Sequence, residues 1–133
     1  MKTKTIAISI LVTAIIIAGT IILVNGDKSS NNTISQAANN VSMVGDKQII
    51  SIDAKGGYSP RVTNAKAGVP TVIKVNTHGT FDCSSSLVIP SLGYHNNLSP
   101  SGETTIDVSP QKTGSKLQGL CSMGMYNFTI NFN

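Results

Sequence analysis

The chain has 133 residues, a formal net charge of +4, and only 12% charged and 5% aromatic residues. Its basic residues are scattered, with no run and no interleaved aromatics, which argues against a nucleic-acid platform. No phosphate loop, nucleotide fingerprint or paired-carboxylate spacing is present, and Ser84-Ser85-Ser86 has no motif around it, so the chain does not read as an enzyme.

The first element is residues 5–24, TIAISILVTAIIIAGTIILV, which carry no charge. A helix rising about 1.5 Å per residue would span roughly 30 Å with this stretch, the thickness of a bilayer's hydrocarbon core. Lys2 and Lys4 precede it, so the positive-inside rule puts the N-terminus in the cytoplasm and the remainder outside. Residues 1–24 therefore read as a single transmembrane anchor. A cleaved signal peptide is the competing reading, although the run is long and Leu23-Val24-Asn25-Gly26-Asp27 makes a poor cleavage site. Residues 25–46 are rich in Asn and Ser and read as a flexible linker, too polar to offset the entropy of ordering.

Residues 47–133 read as one all-β domain. Gln48 to Ala54 alternates, with Ile50, Ile52 and Ala54 on one face. Gly56-Gly57 and Tyr58-Ser59-Pro60 turn the chain, and residues 61–65 are a short extended segment. Val69-Pro70 opens a strongly β-prone strand, TVIKVN. Residues 78–83 form a loop or strand end, and Leu87-Val88-Ile89 is a short strand stopped by Pro90. Residues 91–102 hold turn formers, 104–108 and 116–121 are strands, and YNFTINFN closes the chain with Tyr126, Phe128, Ile130 and Phe132 on one face. About seven strands at near-regular spacing, with no amphipathic helix, predict a β-sandwich or barrel. A domain this small has a marginal core, which a cross-link or metal would support.

The chemistry concentrates in Cys121-Ser122-Met123-Gly124-Met125, one thiol and two thioethers within five residues. Soft sulfur donors of this kind select Cu(I). The other cysteine is Cys83. Cys121 is either a metal ligand or half of a disulfide with Cys83, and both readings stand at this point. A methionine taken alone is more often packing than ligand. Strand alternation would, however, set Met123 and Met125 beside Cys121. His78 and His95 read as solvated loop histidines.

The run from Tyr58-x-Pro60 through Gly68-Val69-Pro70, Cys83, Leu87-Val88-Ile89-Pro90 and Gly114 into Cys121-Ser122-Met123-Gly124-Met125-Tyr126 resembles a cupredoxin-like domain. It is most similar to the EfeO-type group with its Cys-x-Met-Gly-Met loop. The resemblance implies a Greek-key β-sandwich whose metal site draws one ligand from a loop after a central strand and the others from the loop joining the last two strands. That makes Cys83, Cys121, Met123 and Met125 the metal ligands and a copper ion, as Cu(I), the cofactor. The last loop lacks the histidine of blue-copper sites, which argues against electron transfer. The expected function is a membrane-tethered, extracytoplasmic copper module that buffers the metal or passes it to a membrane transporter or oxidase. The alternatives are a metal-free, disulfide-stapled accessory domain and a copper electron-transfer protein.

Overall fold

The computed structural model describes residues 39–133. The expected anchor and most of the expected linker lie outside these residues. Among the described residues no helix is long and apolar enough to cross a membrane.

Ten strands and two 3₁₀ turns make up the described chain, with no α-helix among them. The strands are β1 (Val41–Val44), β2 (Lys47–Ala54), β3 (Tyr58–Ser59), β4 (Val62–Ala65), β5 (Thr71–His78), β6 (Ser86–Ile89), β7 (Tyr94–Asn97), β8 (Ser101–Val108), β9 (Lys116–Cys121) and β10 (Asn127–Phe132). The turns are Cys83–Ser85 and Pro90–Leu92. One sheet runs β1-β2-β5-β8, with β3 on β2, and the other runs β4-β10-β9-β6-β7. The β2–β5 and β4–β10 pairs are parallel and the others antiparallel.

The expected β-sandwich is present, and alternation explains its core. In β2 the side chains of Ile50, Ile52 and Ala54 are buried, and in β10 those of Phe128, Ile130 and Phe132 are. Ile73 and Val75 of β5 and Ile106 and Val108 of β8 join them from the first sheet. Leu87, Ile89 and Leu117 join them from the second. Each such side chain, fully withdrawn from water, contributes roughly 1.5–3 kcal/mol.

Three strands fall where none was expected: the two-residue β3 in the stretch assigned to the Tyr58-Ser59-Pro60 turn, and the edge strands β1 and β7. β1 occupies the end of the stretch assigned to the linker and pairs antiparallel with β2, with Val44 opposite Lys47 across a two-residue Gly45-Asp46 turn. A turn with glycine at its first central position suits a tight hairpin, so the ordered domain begins before residue 47. β7 lies in the turn-rich stretch after Pro90 and pairs with β6, Val88 opposite His95. Both are edge strands with mostly exposed residues, so neither shows an apolar alternation.

The second sheet depends on one close approach. Gly119 of β9 lies opposite Phe128 of β10. A Cβ at Gly119 would run into the Phe128 ring, which lies over the glycine backbone. Phe128 in turn meets the ring of Tyr58 edge-on, with centroids 5.3 Å apart. Gly119→Ala is therefore expected to lower unfolding stability by about 1–3 kcal/mol through overpacking. A denaturant titration of the two proteins checks this, and an unchanged midpoint would mean that the ring moves aside freely.

Candidate metal centre

The β5–β6 connection carries the chain from the first sheet to the second, and Cys83 sits at its turn. Asp82 caps that turn. Its Oδ1 accepts the Ser84 backbone N–H at 2.8 Å and the Ser84 hydroxyl as well. Its Oδ2 accepts the Gly56 N–H at 2.9 Å, tying the connection to the β2–β3 turn. These bonds to the ionised form, the Ser84 hydroxyl first, hold the Asp82 carboxyl below its usual range. From beneath, the Tyr58 hydroxyl donates to the Ser84 carbonyl at 3.2 Å. The Thr80 hydroxyl donates to the Ala54 carbonyl.

Cys121 ends β9, opposite Leu87 of β6. The hairpin from Cys121 to Tyr126 closes on itself. The Cys121 N–H donates to the Tyr126 carbonyl at 3.0 Å, and the Gly124 N–H donates to the Cys121 carbonyl at 2.8 Å. Gly124 has a φ of 71°, a left-handed conformation that glycine adopts without penalty. The Ser122 N–H reaches across to the Ser86 carbonyl at 3.1 Å, and the two serine hydroxyls meet. The loop is thus pinned to the start of β6.

These two segments bring Cys83 and Cys121 together. The cysteines are 38 residues apart in sequence, have Cα atoms 5.8 Å apart and are joined as a disulfide. Cys121 is completely buried, whereas Cys83 is only partly covered by the core. The Tyr126 N–H points at the Cys121 Sγ from 3.4 Å.

Met123 and Met125 lie in the same loop but do not continue the strand's alternation. Both are on the surface, 76% and 63% exposed. The turn at Gly124 replaces the extended backbone on which a shared face with Cys121 would depend. Phe81, two residues before Cys83, is 82% exposed. Met125 also borders a cleft of about 380 Å³, with Tyr126, Tyr58, Arg61 and the Lys55–Gly57 turn around it. Neither histidine joins the cysteines. His78 ends β5 in one sheet and His95 lies in β7 of the other, both exposed. Among the described residues no three His, Cys, Asp or Glu side chains converge in a way that would hold a metal ion.

The sulfur donors offered here are the two cysteine sulfurs and the two thioethers of the loop that follows Cys121. Such a set fits a soft, low-coordinate ion such as Cu(I) and suits neither hard cations nor a blue-copper centre. It fits only when the cysteines are reduced, because thiolates rather than a disulfide bind metal. The missed signal is the burial asymmetry between the two cysteines. Their sequence context hints at it: Cys121 ends an alternating strand, whereas Cys83 sits in a run of Ser and Asp.

Burial pushes the Tyr58 phenol up from 10.0 to about 12, and the negative Asp82 adds to the effect. A group raised on folding stabilises below its unfolded pKa, and that contribution disappears as pH climbs through the folded value. Stability should thus fall between pH 10 and about 12, by about 2–3 kcal/mol for the full shift. Tyr58→Phe should cost about 1 kcal/mol at neutral pH for the lost Ser84 bond and remove this alkaline decline. Denaturant midpoints measured across that pH range test both effects.

The family model described as the cupredoxin-like domain matches residues 15–130. Two solved structures share the fold. The metal-binding domain of the Cu(I)-exporting P-type ATPase CopA of Streptococcus pneumoniae D39, with Cu(I), is 22% identical with a TM-score of 0.62. That match covers 70% of this chain and 92% of that one. A copper-binding protein solved in solution in its apo form is 24% identical with a TM-score of 0.63, over 70% of this chain and 94% of that one. A search of curated proteins finds no match.

Proposed function

Because the chain belongs to the cupredoxin-like domain family, we propose that it is a copper-binding module whose site is built from the Cys83–Cys121 pair and the Met123–Met125 loop. One observation carries this reading. The fold brings two distant cysteines together, and one of them, Cys121, opens a loop that carries two exposed thioethers. When reduced, Cys83 and Cys121 supply thiolates, and Met123 or Met125 completes a three-coordinate sulfur set suited to Cu(I). The two similar structures, one a metal-binding domain with Cu(I) and one a copper-binding protein, agree with this choice of metal. The Cys-x-Met-Gly-Met loop further suggests the EfeO-type group within the family.

The function we infer is buffering or transfer of copper rather than catalysis. Exposed thioethers leave the metal side of the site open to an exchanging partner, and a membrane transporter or oxidase is the partner class the reading favours. We place the domain outside the cytoplasm, tethered by residues 5–24. The apolar length of that stretch supports the tether, and a disulfide supports an oxidising compartment.

Titration of the reduced full-length protein with Cu(I) under anaerobic conditions, against a competing chelator, is expected to give one tight site per chain. Cys121→Ser and the less buried Cys83→Ser should each weaken it by more than about tenfold, equivalent to about 1.4 kcal/mol. A smaller loss in both folded variants would remove the cysteines from the site.

The disulfide also favours a second reading, a metal-free sandwich stapled by Cys83–Cys121. Closing a loop of this length in the unfolded chain is worth about 4 kcal/mol in the chain-entropy picture. A disulfide that resists mild reductant, with no metal uptake after forced reduction, would establish that reading instead.

A further inference from the structure

The Cys83–Cys121 bond is not symmetric, and its asymmetry has a chemical consequence. Cys121 is completely enclosed within the sandwich, at the inner end of β9 among core side chains. No direction of approach to its sulfur is open to a nucleophile. Cys83 is on the turn that crosses between the sheets and is only partly covered. Asp82 and the 82% exposed Phe81 immediately precede it. The two sulfurs also differ in how they would carry charge after the bond breaks. The Tyr126 N–H already points at the Cys121 Sγ from 3.4 Å, and the hairpin's own backbone bonds hold that N–H in place. A departing Cys121 thiolate would find a donor waiting; no such donor to the Cys83 sulfur is present among the described residues.

We infer that Cys83–Cys121 is an exchangeable disulfide with a fixed polarity, in which an external dithiol attacks Cys83 and Cys121 is the leaving sulfur. Thiol–disulfide exchange depends on access to the attacked sulfur and on how well the other sulfur leaves; access selects Cys83, and the Tyr126 N–H offsets part of what burial costs the departing Cys121 thiolate. The first thiolate of the dithiol bonds to the Cys83 Sγ. The Cys83–Cys121 bond breaks, and its electron pair stays on Cys121 as a thiolate facing the Tyr126 N–H. The second thiol of the dithiol then attacks its own sulfur in the mixed disulfide. Cys83 is released as a thiolate and the partner leaves oxidised. Two electrons pass from the dithiol to the domain, and two protons balance the pair of thiols formed. The partner is a dithiol protein of the oxidoreductase type, reaching Cys83 over the exposed Phe81.

The same event uncovers the two thiolates of the proposed copper site, so reduction is the gate for metal loading. This gating clause rests on the copper reading; the polarity of exchange does not.

The test uses the full-length protein in its disulfide form, with reduced glutathione as the probe. A brief exposure to limiting glutathione is quenched with acid at the mixed disulfide, before a second glutathione or Cys121 itself can resolve it, and N-ethylmaleimide in acidic denaturant then labels the sulfur that left. Trypsin separates the two cysteines, with Cys83 in residues 75–112 and Cys121 in residues 117–133. The expected map has glutathione on 75–112 and the alkyl group on 117–133, with at least about a tenfold excess over the reverse pattern. Equal labelling, glutathione on 117–133, or a disulfide that does not open in the folded protein would each overturn the polarity. A parallel measurement adds Cu(I) before and after reduction. Uptake only after reduction supports the gate, and tight uptake with the disulfide intact overturns it. A protein that exchanges with the stated polarity but takes no Cu(I) even when reduced loses the copper reading and keeps the exchange.

Discussion

The structure hinges on the junction of Cys83 and Cys121. The connection that leaves the first sheet and the hairpin that ends the second must meet for the two faces to close over one core. A covalent bond holds them. Around it a web of short-range polar contacts does the local positioning. Asp82 clamps the turn to Gly56, Tyr58 reaches the Ser84 carbonyl, and the Ser122 backbone and hydroxyl engage Ser86. Each contact alone is modest, about 1 kcal/mol, yet together they fix the two backbone segments that carry the sulfurs. Any ligand pair drawn from these cysteines would thus be preorganised by the fold.

That junction also sets the conflict at the centre of the site. As a disulfide, the pair strengthens a small domain by restricting its unfolded chain. On the proposed function, the reduced pair gives up that support and holds a soft metal instead, whose binding to the folded state alone would restore stability by mass action. The exposed loop and the buried sulfur divide these roles. Cys121 belongs to the core and anchors the hairpin, whereas Met123 and Met125 face outward, where a metal could be passed on without opening the fold.

The parts legible in the sequence were those where burial and periodicity coincide. Ile50, Ile52 and Ala54 in β2 and Phe128, Ile130 and Phe132 in β10 alternate because one face of each strand is core, and all six are buried. The edge strands β1 and β7 escaped because an edge packs little, so residues such as Ser42, His95 and Asn96 carry no apolar period. The Cys83–Cys121 disulfide was one of two readings left open, the other being a pair of metal ligands, since alternation does not say whether two cysteines that meet are bonded. The placement of Met123 and Met125 beside Cys121 on one strand face was not correct. It assumed extended backbone through Gly124, where a left-handed glycine turns the chain and puts both thioethers on the surface.

In the proposed function one pair of sulfurs serves both as staple and as metal site. Denaturant unfolding of the full-length protein in three states tests it most directly: disulfide, fully reduced without metal, and reduced with one equivalent of Cu(I). Reduction should lower stability by about 4 kcal/mol. Recovery on adding Cu(I) should grow with the metal concentration, as expected for a ligand that binds only the folded chain. Equal stability of the disulfide and reduced forms, or a reduced form that Cu(I) leaves unchanged, would contradict it.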